Sequence, residues 1–418
     1  MGRIINYEKT TLILLIALLI FVQPSFAQTD AKRIQKDIEY LSHDKLQGRY
    51  PGTKQELVAA KYIIQSFKKS GIAPKGTDGF LQAFPLKSSS NPHASDSDMT
   101  NVGTAHNVIG YLDNQAKYTI VIGAHYDHLG LGLAGNSLDP NPKNKIHNGA
   151  DDNASGTAGV MELARIFSQN NYTENVNFLF ICFSAEEEGL LGSKYFTNNP
   201  TINLNSITCM LNMDMIGRLN DSTKKIVLSG VGTSPMFGNI LSNVVSNIGY
   251  KADSAGMGPS DHASFYLKDI PVLHFYTGTH YDYHKPSDDA NKINSQGEVA
   301  VIDFVASIAK QIAKYPEKLS FSQTKNNIST GTSTFKVTLG VIPDYAFDGD
   351  GLRLDGVSEG KPASKAGLKT GDIIVKMGPL AIHNIQDYMK GLGMFSKGET
   401  VSISILRGKE PLNIAVTF

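Results

Sequence analysis

Cysteine is scarce in this chain, and neither sign of charge is in excess. Two cysteines, Cys182 and Cys209, in 418 residues exclude a disulfide-stapled scaffold, and 41% hydrophobic residues supply a large core without one. Both lie inside apolar runs that read as buried strands, so two free thiols are expected, with one buried bridge as the alternative. Lys plus Arg and Asp plus Glu both number 39, so no net charge argues for nucleic acid or an anionic membrane as partner. The N-terminal apolar run, Leu12 to Val22, has 11 residues and is too short to cross a bilayer. Arg3 and Lys9 precede it and the small-x-small site Ser25-Phe26-Ala27 follows, the pattern of an export signal cleaved after Ala27. No cysteine follows to carry a lipid, so no stable membrane anchor is expected, and the mature protein is expected to be periplasmic or secreted.

What is present is an alternation of two periodicities. LVAAKYIIQSFKKSG repeats apolar residues at Leu57, Ala60, Ile63, Ile64 and Phe67 and stops at Gly71, as a helix does. Residues 88–101 are polar and turn-rich, a surface loop. Short continuous apolar runs follow (HNVIGYL, YTIVIGAH, NVNFLFICFSA, SITCMLNMD, KIVLSGVG, IPVLHFYTG), the texture of strands buried on both faces. Between them TAGVMELARIF has helical spacing at Val160, Leu163, Ala164 and Phe167. The expected fold is α/β, a mostly parallel sheet with helices on both faces, followed by a small β-rich unit. The expected boundaries are a signal at 1–27, a main domain at 28–318, a patternless polar linker at 319–333 and a tail domain at 334–418.

The chemistry-bearing residues cluster at strand ends. His125 closes YTIVIGAH with Asp127 two residues on; Asp151 and Asp152 stand side by side in GADDNASG. Glu186, Glu187 and Glu188 follow NFLFICFSA, Asp214 follows SITCMLNM, and His284 follows IPVLHFYTG. In open α/β sheets the functional crevice lies at the carboxyl ends of the strands. Two imidazoles with several carboxylates there suit zinc or a similar divalent ion, and adjacent carboxylates repel unless a cation lies between them. The set exceeds the three protein ligands one zinc needs, which points to two metals about 3.5 to 4 Å apart, as in dinuclear hydrolases.

HYDHLG, GADDNASG, SAEEEGLLGS, LNMDMIG and YHKPSDD resemble, in order, the five motifs of the zinc aminopeptidases of peptidase family M28, over roughly residues 30 to 315. The resemblance implies two Zn(2+) ions bridged by Asp152, one also held by His125 and Asp214, the other by Glu187 and His284. It implies Glu186 as general base, a cis peptide between Asp152 and Asn153, and a peptide as substrate. Asp127 is then placed to orient His125 and Asp288 to orient His284. Where well-studied members carry a Tyr that helps hold the oxyanion, this chain has Met257, leaving Tyr281 or Tyr283 for that role. His43, His93, His106, His274 and His383 read as structural, and His128 and His147 as cleft-lining residues without metal. Ser260, Asp261 and His262 contain the letters of a hydrolytic triad, but adjacent residues point apart and no nucleophile elbow accompanies them.

The tail, with KVTLGVIPDY and GKPASKAGLKTGDIIVKMG, resembles a protease-associated PDZ domain. That likeness implies an extended peptide or protein C-terminus as partner, its carboxylate received by Thr338 to Val341. The expected activity is that of a dizinc aminopeptidase. The alternatives are another reaction on the same scaffold, cyclase-like or carboxypeptidase-like, and a catalytically silent binding protein.

Overall fold

The computed structural model describes residues 28–88, 100–324, 337–343, 349–357, 360–383 and 385–418. The expected export signal, most of the expected 88–101 loop and most of the expected linker lie outside these residues. Nine strands form the main sheet: β1 Ala73–Pro74, β2 Leu81–Ser88, β3 Thr100–Leu112, β4 Thr119–His125, β5 Asn177–Phe183, β6 Ile207–Met213, β7 Lys225–Ser229, β8 Gly249–Ala252 and β9 Val272–Tyr276. Their order is β1-β3-β5-β4-β6-β9-β7-β8, with β2 also paired to β3. The four central strands β5, β4, β6 and β9 are mutually parallel, and every residue of β4, β5 and β6 is buried. This is why those segments read as unbroken apolar runs. The flanks are antiparallel, at β3 with β5 and at β7 with β9, so the parallel character expected from the sequence is that of the sheet's centre.

Among the described residues, seven α-helices flank the sheet: α1 Ala31–Leu41, α2 Lys54–Lys69, α3 Gly156–Gln169, α4 Leu191–Asn198, α5 Phe237–Ser242, α6 His262–Tyr266 and α7 Ser295–Ile312. One hydrophobic cluster packs α1, α2, α3, α5 and α7 on one face, and a second packs α4 and α6 on the other. Helix α2 begins where the Thr53 hydroxyl accepts from the Glu56 amide and ends before Gly71, whose φ of 73° suits glycine. It buries Ala60, Ile63 and Phe67. Helix α3 buries Val160, Leu163, Ala164 and Phe167, and the three larger side chains each contribute about 1.5–3 kcal/mol. Cys182 and Cys209 are free and buried. Residues 319–324 pack on the main domain, with Leu319 buried and its amide donating to the Thr208 hydroxyl at 3.0 Å. No helix among the described residues is long and apolar enough to cross a membrane.

The C-terminal unit has its own core, including Leu339, Leu354, Ile374, Ile403 and Val416. Its antiparallel sheet comprises β10 Val341–Pro343, β11 Leu352–Val357, β12 Ile373–Met377, β13 Leu380–Ala381, β14 Thr400–Arg407 and β15 Glu410–Thr417.

Candidate metal centre

The parallel centre of the sheet delivers the motif residues to one edge. His125 is the last residue of β4, and the Thr157 hydroxyl of α3 donates to its carbonyl at 2.7 Å, tying strand end to helix. Asp151 and Asp152 lie in an irregular turn, Ala150–Ser155, that leads into α3. Asn153 locks this turn to the end of β6: its side chain donates to the Met213 carbonyl at 3.0 Å and accepts from the Met215 amide at 3.1 Å. Asp214 follows directly. The Asp152–Asn153 peptide is cis.

The donor atoms form two groups that share Asp152. His125 Nε2 lies 3.4 Å from Asp152 Oδ1 and 3.4 Å from Asp214 Oδ1. His284 Nε2 lies 3.2 Å from Asp152 Oδ2 and 3.1 Å from Glu187 Oε2. Donors at zinc distances of about 2.0–2.2 Å, arranged tetrahedrally, stand about 3.3–3.5 Å from one another, close to these separations. The residues present therefore fit divalent metal on both sides of Asp152, and the chain offers two His and three carboxylates for it.

His128 also reaches the second group. Its Nδ1 is 2.8 Å from Glu187 Oε1 and 3.8 Å from Asp152 Oδ2. The first is a hydrogen-bond length and the second is long for two ligands of one ion, so His284 fits as ligand and His128 as the donor that holds Glu187. His128, expected only to line the cleft, thus supports a proposed ligand; its adjacency to Asp127 within HYDHLG is the signal in the sequence.

Further partners orient the site. His125 Nδ1 lies 3.3 Å from the Asp127 carbonyl and 3.6 Å from its carboxylate, while that carboxylate accepts the amides of Glu186 at 3.1 Å and Glu187 at 3.4 Å. Asp127 thus serves the glutamate turn as well as His125. His284 is oriented by the Asn136 carbonyl, 2.9 Å from its Nδ1, and not by Asp288 as expected from the sequence. Asp288 instead accepts the amides of Asp151 and Asp152, at 2.9 and 3.0 Å. A carbonyl on the 131–148 loop carries no side-chain signature, so this partner was invisible in the sequence. Asp151 has both carboxylate oxygens engaged, one by the Gly217 amide at 2.7 Å and the other by His280 at 3.0 Å.

Electrostatics point the same way. Burial opposes charge on His125, yet Glu186 and Asp214 outweigh it and raise its pKa well above the ordinary value. Burial likewise opposes charge on His284, and Glu187 and Asp152 raise its pKa well above normal. Burial favours the neutral forms of Asp152 and Glu187, but the surrounding imidazoles prevail, with Glu187 drawn down to about 2. Glu186 behaves oppositely: burial first, then Asp214, Glu187 and Asp261, push it well above 4.5 despite His125.

Tyr281 and Tyr283 separate clearly. Tyr281 is 84% exposed, with the Lys285 ammonium 3.6 Å from its ring centre. Tyr283 stacks on His284 at 3.9 Å, and burial together with Asp152 and Glu187 raises its phenol well above 10. Of the triad letters, Ser260 accepts from Asn212 at 2.8 Å and His262 stacks on His274 at 4.4 Å.

Residues 107–309 match the model of peptidase family M28, and residues 324–418 match that of the PDZ domain. The chain carries an M28 peptidase domain followed by a PDZ domain. It is similar to leucine aminopeptidase 1 of Coccidioides posadasii, 31% identical over 169 residues, which cover 38% of this chain and 42% of that protein. The match thus spans less than half the length of this curated relative. The LapA aminopeptidase of Legionella pneumophila shares the fold at a TM-score of 0.52 and 19% identity, covering 76% of this chain and 79% of that one. A glutaminyl cyclase of Bacteroides thetaiotaomicron shares it at 0.53 and 20%, covering 67% and 97%. The fold alone therefore does not select the reaction; within this M28 domain, residues of the centre must do so.

Proposed function

We propose that the protein is an exported dizinc aminopeptidase that hydrolyses N-terminal residues from peptides. What supports this reading most is one arrangement: two sets of metal donors sharing Asp152, with Glu186 at their edge, 3.9 Å from His125 Nε2. His125, Asp152 and Asp214 would hold one zinc, and Glu187, His284 and Asp152 the other. Bound there, the two ions would polarise the scissile carbonyl and acidify the attacking water.

The chain supplies the remaining steps. Glu186 would take a proton from that water and deliver it to the leaving amine, the task of a carboxylate standing beside both donor sets. Tyr283 donates its phenolic hydrogen to the oxyanion, the role for which Met257 has no donor. Asp127 anchors the Glu186–Glu187 turn through its amides, keeping base and ligand in register. The PDZ domain binds an extended chain end by strand addition, and the first 27 residues direct export.

The test is hydrolysis of amino-acid p-nitroanilides and their N-acetylated forms by the mature protein and by Glu186→Gln, alongside cyclisation of an N-terminal glutaminyl peptide. Cleavage restricted to free amines, and lost in Glu186→Gln while its metal content is unchanged, is expected. Cyclisation without cleavage, or no turnover at full metal occupancy, would reject the aminopeptidase reading.

A further inference from the structure

Arg49 is fully buried, and its four hydrogen bonds all end on main-chain carbonyls. Nε donates to Tyr126 at 2.6 Å, Nη1 to Leu41 and Asn148 at 2.6 Å each, and Nη2 to Gly149 at 3.0 Å. A guanidinium out of water is ordinarily paired with a carboxylate; here its fixed fork spans separate backbone segments instead.

Which segments it joins is informative. Tyr126 lies between His125 and Asp127, and Asn148 and Gly149 immediately precede the turn that carries Asp152. Leu41 ends α1. One rigid side chain thus spaces the strand end bearing a terminal donor against the turn bearing the shared donor, and fastens both to the N-terminal helix. Burial draws the guanidinium down to about 10, so it remains charged at neutral pH, and the charges of Asp127 and Asp152 favour that charged form.

The chain bends sharply to bring Arg49 inward. Gln47, Gly48 and Arg49 have φ of 45°, 69° and 49°, a run of left-handed residues that is unfavourable for the two with side chains. A Cβ at residue 48 would come within 2.4 Å of the His147 carbonyl oxygen and 2.8 Å of Gly130 Cα, so only glycine fits there. The Gly130 amide donates to the Gly48 carbonyl at 3.1 Å, joining this bend to the 131–148 loop that orients His284.

We propose that Arg49 is a positioning residue of the metal centre, setting the separation between the His125 strand end and the Asp152 turn. This rests on the dinuclear reading above. A purely structural role would lower stability and leave metal binding alone, whereas a role for charge alone would be preserved by lysine.

The experiment titrates cobalt(II) into metal-free wild type, Arg49→Lys, Arg49→Met and, as a destabilised control from the same bend, the buried Leu46→Ala. It records visible d–d absorption, dissociation constants and Tm. Both Arg49 variants are expected to bind cobalt about 10- to 100-fold more weakly, as when groups supporting metal ligands are lost, with an altered band shape. Leu46→Ala is expected to lose Tm with an unchanged spectrum. Lowered Tm with wild-type affinity and spectrum in both Arg49 variants would overturn the proposal, as would a wild-type result for Arg49→Lys alone. Should Arg49→Met not fold, Arg49→Lys carries the test, because it keeps the charge and loses the fork. Failure of wild type to bind cobalt would instead reject the dinuclear reading.

Discussion

Replacing His128 by alanine separates holding a ligand from being one. In the structure the His128 ring is completely buried and Nδ1 sits 2.8 Å from Glu187 Oε1, while Glu187 Oε2 faces His284 at 3.1 Å. The variant leaves Oε1 of a nearly buried carboxylate without that donor. A hydrogen bond to a charged group contributes about 1.5–3 kcal/mol, which corresponds to roughly a 10- to 100-fold loss of affinity. The loss should fall on the Glu187–His284 metal and spare the one held by His125 and Asp214. His284→Ala removes a proposed ligand and should leave one metal bound at micromolar zinc. The assay is titration of the metal-free proteins against a chromophoric chelator, with bound zinc counted after gel filtration. If His128→Ala bound one ion while His284→Ala retained two, the assignment of ligand and supporting donor would be reversed. Unchanged affinity in His128→Ala would remove His128 from the site altogether.

Two further outcomes follow from the same geometry and electrostatics. Tyr283→Phe should lower kcat by about 10- to 100-fold with little change in KM, since a donor to the oxyanion acts on the transition state, whereas Tyr281→Phe should behave as wild type; equal effects would discard the assignment. Burial raises Asp37 from 3.8 to about 6 against the opposing Tyr62 hydrogen bond, so the native state favours its proton. The stability due to this group is complete below pH 4 and is lost as pH rises through about 6. Asp37→Asn, which mimics the protonated form, should therefore be more stable than wild type at pH 8 by up to roughly 3 kcal/mol and lose that advantage near pH 4, by urea denaturation. A difference independent of pH would contradict it.

Of the residues proposed to hold metal, His125 closes β4, Asp214 follows β6 and Glu187 stands in the turn after β5, where the run of buried apolar residues gives way abruptly to His, Asp or Glu; Asp152 and His284 lie in loops farther on and were legible only through GADDNASG and YHKPSDD. The central parallel strands were legible for the same reason. The antiparallel flanks were not, since β3 and β7 carry apolar runs like those of the centre and their direction is set by connections rather than composition. Supporting groups were legible only where a side chain does the work. Asp127 was placed, while the Asn136 carbonyl behind His284 and the carbonyls gripped by Arg49 belong to residues whose identity says nothing about the bond. Asp288 stood near His284 in sequence and was expected to serve it, but the fold turns its carboxylate to the Asp151 and Asp152 amides.

The most direct test of the proposed dinuclear centre is a crystal structure of the mature protein grown with zinc, with anomalous differences collected above and below the zinc edge. Two zinc peaks about 3.5–4 Å apart, astride the Asp152 carboxylate, are expected, with His125 and Asp214 on one and Glu187 and His284 on the other. A single peak at saturating zinc, or two peaks that do not share Asp152, would contradict it.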